Sequence, residues 1–346
     1  MARLFFLLSG EHPSLPFSEL ESIIAAESYE YQVLERLTQV LSVETDINST
    51  KAIEFRSALT RVCGLELFNC DAVLTEIVKE LQSVSLEDFL KSGESFAVRI
   101  KRIQRAAPHI IRIELERKLG ELILDKVKGA KVNLKSPQKA FFGILTENRF
   151  IFGLKVAEIP TKPLFERSPQ KRPFFHPSAM LPKLARCMVN LAQPRNGDLI
   201  LDPFCGTASM LIEAGLMGYR MLGLDVQSSM VRGSLRNFLH LGVKADGMIV
   251  ADAKYLPINR IDCVVTDPPY GRSATTLGWT TRRIVESFLS NVGEILPKGR
   301  RICIAAPKSV KIGEMAKGLG FKHVESHLVY VHRSLTREIA VLEKET

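Results

Sequence analysis

Four carboxylates stand at the ends of four successive apolar runs in the C-terminal half of the chain. They are Asp202 after DLIL, Asp225 after YRMLGL, Asp252 after GMIVA and Asp267 after IDCVVT. Short aliphatic runs bounded by turn residues are the pattern of buried strands. One Asp after a strand is often a helix cap or a turn residue. Four in succession form a polar rim along one sheet edge, and open α/β sheets bind ligands at the carboxyl ends of their strands. The last of the four begins the stretch DPPYG. Pro268 and Pro269 have no N–H to give to a sheet, so the strand stops at Asp267. The turn that follows holds a carboxylate, a backbone carbonyl and the Tyr270 phenol in one small volume. Taken alone, it also fits a surface turn capped locally by Asp.

The stretch LDPFCGTASM (201–210) reads as strand, tight turn at Gly206 and helix from about Ala208. It lacks the lysine of a phosphate-binding loop and all but one glycine of a dinucleotide fingerprint. Asp225 lies 23 residues after Asp202, near the spacing at which an acid binds ribose hydroxyls in nucleotide-binding sheets. The ligand is therefore read as a nucleoside without a phosphate chain, which S-adenosylmethionine fits.

The elements that must position these residues alternate. From Ser178 onward the order is helix (AMLPKLARCMVNLA), strand, helix (ASMLIEAGLMG), strand, helix (SSMVRGSLRNFLHLG), strand, strand, helix (TRRIVESFLSNVGEIL) and strand, with two further strands at the end. This predicts a doubly wound, mostly parallel α/β sheet closed by an antiparallel hairpin. Before it, EIPTKPLFERSPQKRPFFHP (158–177) carries Pro160, Pro163, Pro169, Pro173 and Pro177. Proline this dense reads as a semi-rigid linker without helix.

The N-terminal half is α+β. Leu20, Ile23 and Ile24 give Phe17–Ala26 a helical stripe, with Ser18 and Glu21 spaced as a capping box. Residues 56–90 read as mostly helical. FAVRIKRI (96–103) alternates apolar residues with Arg99 and Lys101, the pattern of a strand with one buried face. Residues 109–127 read as a helix ending near Gly129, and AFFGILTENRFIFGLKV (140–156) as two strands joined at Glu147-Asn148.

The 346 residues suffice for two or three domains, and their net charge of +9 is unevenly spread. Residues 1–95 hold 7 basic and 16 acidic side chains, residues 96–183 hold 19 and 7, and residues 184–346 hold 21 and 15. A basic middle is the footprint expected of a nucleic-acid partner. No run approaches the roughly 20 apolar residues of a membrane span, and the opening MARLFFLLSG reads as a first strand rather than a signal peptide. The six cysteines contain no C-x-x-C pair, so no zinc or other metal site is expected. Scattered single cysteines fit a reducing, cytoplasmic setting.

With these residues in view, the sequence resembles a known family. DPFCGTAS followed by LDV, AD and DPPYG resembles the class I methyltransferases that modify exocyclic amino groups. Among them the chain is most similar to the archaeal tRNA (guanine-10) N2-methyltransferases. The resemblance covers its whole length. It implies a ferredoxin-like N-terminal domain (1–55), a THUMP RNA-binding domain (56–157), a basic linker (158–177) and a methyltransferase domain with a class I Rossmann-like fold (178–346).

The same resemblance implies roles. Asp202 and the turn Pro203, Phe204, Cys205, Gly206 and Thr207 would contact the methionine part of the cofactor. Asp225 with Val226 would hold the ribose and Asp252 with Ala253 the adenine. His176, Pro177 and Ser178 would close over the methionine end. Asp267, Pro268, Pro269 and Tyr270 would receive a guanine flipped from its stack. Arg99, Lys101, Arg102, Arg105, Lys162, Arg167, Lys171 and Arg172 are the candidates for RNA backbone contacts. A monomer acting on tRNA is expected, and the need for a small activator subunit stays open. Two alternatives keep their place: N2 methylation at another tRNA guanine or N6 methylation of adenine, and a non-catalytic RNA-binding protein on an inactive methyltransferase fold. Trp279, Arg333 and Arg337 are read as packing or structural residues, and Cys205 as lacking any neighbour that would make it a nucleophile.

Overall fold

The computed structural model describes residues 1–270 and 280–345, so Gly271 and Trp279 lie outside the described residues. These residues divide into two compact units: 1–13, 28–54 and 60–160 form the first, and 14–27, 55–59 and the chain from 161 onward form the second.

The first unit is built on the strands β1 (Ala2–Leu8), β2 (Tyr31–Leu37), β3 (Val40–Thr45), β4 (Thr60–Asp71), β5 (Ser95–Arg102), β6 (Lys131–Val132), β7 (Lys139–Thr146) and β8 (Arg149–Glu158). Their sheet order is β2-β3-β1-β4-β8-β7-β5-β6, antiparallel except where β5 pairs with β6 and β7. The helices of the N-terminal half are α1 (Leu15–Ala26), α2 (Ser49–Arg56), α3 (Leu74–Ser83) and α4 (Arg112–Lys126). Ile77 and Leu81 of α3 and Leu115, Leu119 and Ile123 of α4 pack on Phe68, Phe96, Phe141, Phe150 and Phe152. The alternation of FAVRIKRI survives: Phe96, Val98 and Ile100 are buried and Lys101 is exposed.

Two expectations fail here. Residues 60–71 are a strand rather than helix, because β1 and β8 bond to both of its edges. Such long-range pairing overrides local propensity. Ser18 does not cap a helix. Pro16 sits in the first turn of α1, so the helix starts earlier, and Ser18 donates instead to Glu325 at 2.6 Å.

The second unit continues with α5 (Lys162–Glu166), α6 (Pro182–Leu191), β9 (Leu199–Asp202), α7 (Ser209–Leu216), β10 (Arg220–Asp225), α8 (Ser228–Leu241), β11 (Gly247–Val250), β12 (Cys263–Thr266), α9 (Thr281–Val292), β13 (Arg301–Pro307), α10 (Ile312–Lys317), β14 (Phe321–His332) and β15 (Leu335–Lys344). Its sheet order is β11-β10-β9-β12-β13-β15-β14, parallel through β13 and antiparallel at β15 and β14. This is the expected doubly wound sheet with its terminal hairpin. Alternate strand residues serve opposite faces. Ile200, Cys263, Val265 and Cys303 pack with α6 and α7, while Leu201, Val264, Ile302 and Ile304 pack with α9 and α10. The strand order reverses direction between β9 and β12, which makes the carboxyl ends of those two strands the switch point. No described helix is long and apolar enough to cross a membrane.

The proline-rich stretch contains a helix after all, since the proline of α5 falls in its first turn. Nor is it a free linker. Arg167 donates twice to the fully buried Glu213, at 2.6 and 2.7 Å, and Arg186 donates to the same carboxylate at 3.1 Å. Removing one partner of a buried ionic cluster strands the other charges. Glu213→Ala is therefore expected to destabilise the second unit by about 3 kcal/mol, read as a fall in urea midpoint. Glu294→Ala, an exposed acid, is the control expected to change little.

Candidate functional site

A cleft of about 980 Å³ opens at the carboxyl edge of the second sheet. Its walls bring together most of the residues singled out by sequence: His176, Pro177, Ser178, Pro203, Phe204, Gly206, Asp225, Val226, Asp252, Ala253, Asp267, Pro268, Pro269 and Tyr270. Each arrives there for a local reason. Phe174 exchanges two 3.0 Å bonds with the Asn237 side chain, and its ring lies against Gly233, where a Cβ would stand 2.1 Å from it. This clasp fixes the segment leading to His176. Gly206 takes φ +50, with open space where a side chain would project. Its N–H donates to Asp225 Oδ2 at 3.0 Å, while Gln227 N–H donates to Oδ1 at 2.8 Å. Asp252 Oδ1 accepts from the Lys254 N–H at 3.0 Å.

Three expected cofactor contacts sit beneath the wall rather than in it. Asp202 is only 2% exposed and accepts from Thr266 Oγ1 at 2.7 Å and from Phe204 N at 3.2 Å. Cys205 and Thr207 are buried, the first donating its N–H to Leu224 O and the second accepting from Asn237. They shape the turn from below. Burial pushes the Cys205 thiol well above its ordinary range, which keeps it protonated and unreactive.

The strand β12 ends at Thr266, and the two prolines after Asp267 carry the chain out of the sheet. Asp267 accepts from the Tyr270 hydroxyl on Oδ1. Its Oδ2 stands 3.4 Å from Arg337 Nη2, and Arg337 Nε donates to the same hydroxyl at 2.9 Å. Sequence reasoning missed Arg337 as a site residue. It lies on β15, far along the chain from Asp267, and no local pattern announces a contact that only sheet topology creates.

Three carboxylates of this edge, Asp202, Asp225 and Asp267, are hard to ionise. Burial raises Asp202 to about 7, against the bonds from Thr266 and Phe204 and with the neighbouring Asp267 and Asp225 charges. Burial also raises Asp225, opposed by the N–H groups of Gln227 and Gly206. It raises Asp267 as well, opposed by the Arg337 charge and the Tyr270 bond. Arg337 is itself held above its ordinary range, because Asp267 and Tyr270 outweigh its burial.

The candidate RNA contacts divide. Lys101, Arg105, Lys162 and Lys171 are exposed. Lys162 stands 3.6 Å from Glu166, and Lys171 lies over the Phe165 ring. Arg99 donates to the Val98 and Leu134 carbonyls, and the half-buried Arg102 to Ile110. Arg167 and Arg172 are turned inward: one is bonded to Glu213, and the other is buried against Ser209 and the Arg167 carbonyl. Their positions in a basic, proline-rich stretch suggested solvent, but the stretch packs inward.

Comparison with known proteins follows the two units. A family model described as "RMKL-like, methyltransferase domain" matches residues 169–339, and a THUMP domain model matches residues 71–154. The chain is 36% identical over 346 residues to the tRNA (guanine(10)-N2)-dimethyltransferase of Methanothermobacter thermautotrophicus, covering 99% of both chains. It is 32% identical to the protein of the same name from Methanocaldococcus jannaschii, covering 98% of this chain and 99% of that one. Among solved structures, TrmN from Thermus thermophilus aligns over 99% of both chains at 21% identity with a TM-score of 0.55, a likeness of fold.

The raised acid at Asp202 gives the second unit a definite pH response. An aspartate in an unfolded chain loses its proton near 3.9, whereas folded Asp202 keeps it to about 7. Between those values the folded state holds one proton more, so this group's contribution to stability falls as pH rises and levels off above about 7. Asp202→Asn, which carries no charge, should gain about 2 kcal/mol relative to wild type between about pH 5 and pH 8. Urea midpoints across that range check it.

Proposed function

The chain belongs to the family of the archaeal tRNA (guanine(10)-N2)-dimethyltransferases, and on that premise we propose that it moves methyl groups from S-adenosylmethionine to the exocyclic N2 of guanosine 10 in tRNA, ending at N2,N2-dimethylguanosine. The observation that carries this reading is one cleft holding Asp225, Asp252 and the Asp267–Tyr270 turn on a single sheet edge.

The donor set suits an adenosine. The Asp225 carboxylate, already oriented by two N–H groups, takes the ribose hydroxyls. Asp252 accepts from the adenine amino group, with Val226, Ala253 and Phe204 as apolar walls. Gly206 and the His176–Ser178 segment receive the methionine end, and Asp202 supports the turn from below instead of touching the ligand. Bound there, S-adenosylmethionine would supply a methyl group on a sulfonium sulfur: the C–S electron pair would leave with sulfur as the guanine nitrogen bonds to carbon, and the proton that nitrogen sheds would pass to the Asp267 carboxylate or to water.

The protein's own part is to make a poor nucleophile attack. The guanine amine shares its lone pair with the ring. Asp267 and the Pro268 carbonyl accept its N–H bonds and turn the lone pair toward the methyl carbon, which is catalysis by positioning and preorganised electrostatics. Tyr270 offers its ring to the flipped base. A monomethylated amine keeps one N–H for Asp267, so the same acceptor serves a second transfer.

The test is transfer of labelled methyl to an unmodified tRNA transcript, with the product nucleoside identified by mass and its position mapped. Wild type should yield N2,N2-dimethylguanosine at position 10. Asp267→Asn should lose about 10²–10³ in kcat, and Asp225→Ala should raise KM for S-adenosylmethionine far more than it lowers kcat. Methyladenosine, or methylation elsewhere, would overturn the substrate assignment. In the first unit, Lys101 and Arg105 contact the tRNA backbone. Replacing both by alanine should weaken binding across tRNA sequences and flatten the slope of log K against log salt by about 1 to 2. An unchanged slope assigns them to solvent.

A further inference from the structure

The terminal hairpin brings more to the cleft than a closed sheet edge. Val329, Tyr330 and His332 of β14 and Leu335 and Arg337 of β15 all line it. Arg337 reaches furthest into the chemistry. It sits on β15, which is paired on both sides by β13 and β14, opposite Pro307 and Val329. Its backbone is therefore fixed by two ladders. Its side chain is 13% exposed and that of Asp267 17%. Three contacts close a ring: Arg337 Nη2 to Asp267 Oδ2 at 3.4 Å, Arg337 Nε to the Tyr270 oxygen at 2.9 Å, and the Tyr270 hydroxyl to Asp267 Oδ1. The guanidinium carbon also stands 5.3 Å from the Tyr270 ring centroid.

We propose that Arg337 is a positioning residue for methyl transfer, keeping Asp267 ionised and aimed so that the carboxylate can accept the N–H of the target amine. The proposal rests on the guanine-N2 reading of the site. Its logic is a balance of charges. An acid, Asp202 of β9, lies beneath Asp267 and within reach of its charge, and Asp225 of β10 shares the cleft wall. Lys254 lies nearer to Asp252, at 3.9 Å, and His176 and His332 line the cleft. A carboxylate among other carboxylates in a partly dry site takes up a proton unless a cation stands beside it. A protonated Asp267 would give one of its oxygens to an O–H and could not orient an amine as a charged acceptor does. Arg337 supplies the cation. Tyr270 links the two by accepting from one and donating to the other, which polarises the chain of bonds in a single direction. Both Asp267 oxygens have lone pairs left for a substrate, since each carboxylate oxygen can accept more than one bond.

The experiment compares wild type, Arg337→Met and Arg337→Lys on tRNA transcript, following kcat/KM from about pH 5.5 to about pH 9. In Arg337→Met the acid limb should move up by at least about one pH unit, so that the variant loses about tenfold or more at the acid end and recovers toward wild type in alkali. Arg337→Lys should return the limb most of the way. A second readout needs no turnover. The fall in Tm caused by Arg337→Met should be larger at about pH 8, where Asp267 would be charged and alone, than at about pH 5, and it should shrink in an Asp267→Asn background. Should Arg337→Met not fold, Arg337→Lys and Tyr270→Phe carry the same test, with Tyr270→Phe shifting the limb in the same direction by less. An Arg337→Met rate reduced by one factor at every pH, with a Tm loss independent of pH and of Asp267, overturns the proposal and leaves a structural arginine. Failure of the site reading itself shows differently: wild type would then methylate a nucleoside other than guanosine.

Discussion

A parallel sheet delivers the carboxyl ends of its strands to one edge, and in this chain each of β9, β10 and β12 arrives there with an aspartate in or just after its last turn of backbone. The rest of the second unit answers to the cost of that arrangement. A carboxylate removed from water must find donors or a counter-charge, or it protonates. Thr266 and the Phe204 N–H serve Asp202, two backbone N–H groups serve Asp225, and Tyr270 with Arg337 serves Asp267. The solutions differ, and the differences track position. Asp202, deepest and supplied only with neutral donors, is raised to about 7. Burial raises Asp267 at the mouth as well, and there a cation, Arg337, opposes it. A buried acid poised near neutrality suits a strut under the cofactor turn, whereas an acceptor for an amine has to stay charged.

The two prolines after Asp267 solve a geometric problem that hydrogen bonding alone would not. The strand β12 lies between β9 and β13 in the middle of the sheet, where a chain with free N–H groups could continue pairing. Pro268 and Pro269 remove that option and fix two φ angles, so the backbone leaves the sheet at the carboxylate. Thr281, in the first turn of α9, then donates to the Pro269 carbonyl at 3.1 Å. The turn is thus held at both ends, and little conformational entropy is left to lose when a base enters.

Much of the site could be read in advance because it lies in short contiguous segments. The DPFCGT turn, the acids after β10 and β11 and the DPPY turn each combine a strand end with turn chemistry, and both signals are local. What escaped had a non-local cause. The strand Thr60–Asp71 was hidden because its partners, β1 and β8, flank it in space and not in sequence. Arg167 and Arg172 looked like free cations because their acceptors, Glu213 and Ser209, lie on α7. Arg337 looked structural because nothing in SLTREIA says that β15 inserts between β13 and β14. In each case residue type was informative and address was not.

That insertion has a consequence for how the site comes into being. The cation for Asp267 belongs to the last strand of the chain, and it can reach the carboxylate only when β15 has paired antiparallel with β13. Contacts of such long sequence separation are slow to form, because their loop entropy is lost before the contact rewards it. Until then Asp267 has acidic neighbours and no guanidinium, which favours its protonated form, and Tyr270 has nothing to bridge. The Asp267–Arg337 ion pair and the completed sheet are therefore one event. A catalytic domain assembled without its terminal hairpin would expose the β13 edge and leave Asp267 without its guanidinium in the same step, so that losing the hairpin removes the sheet's closure and the counter-charge together.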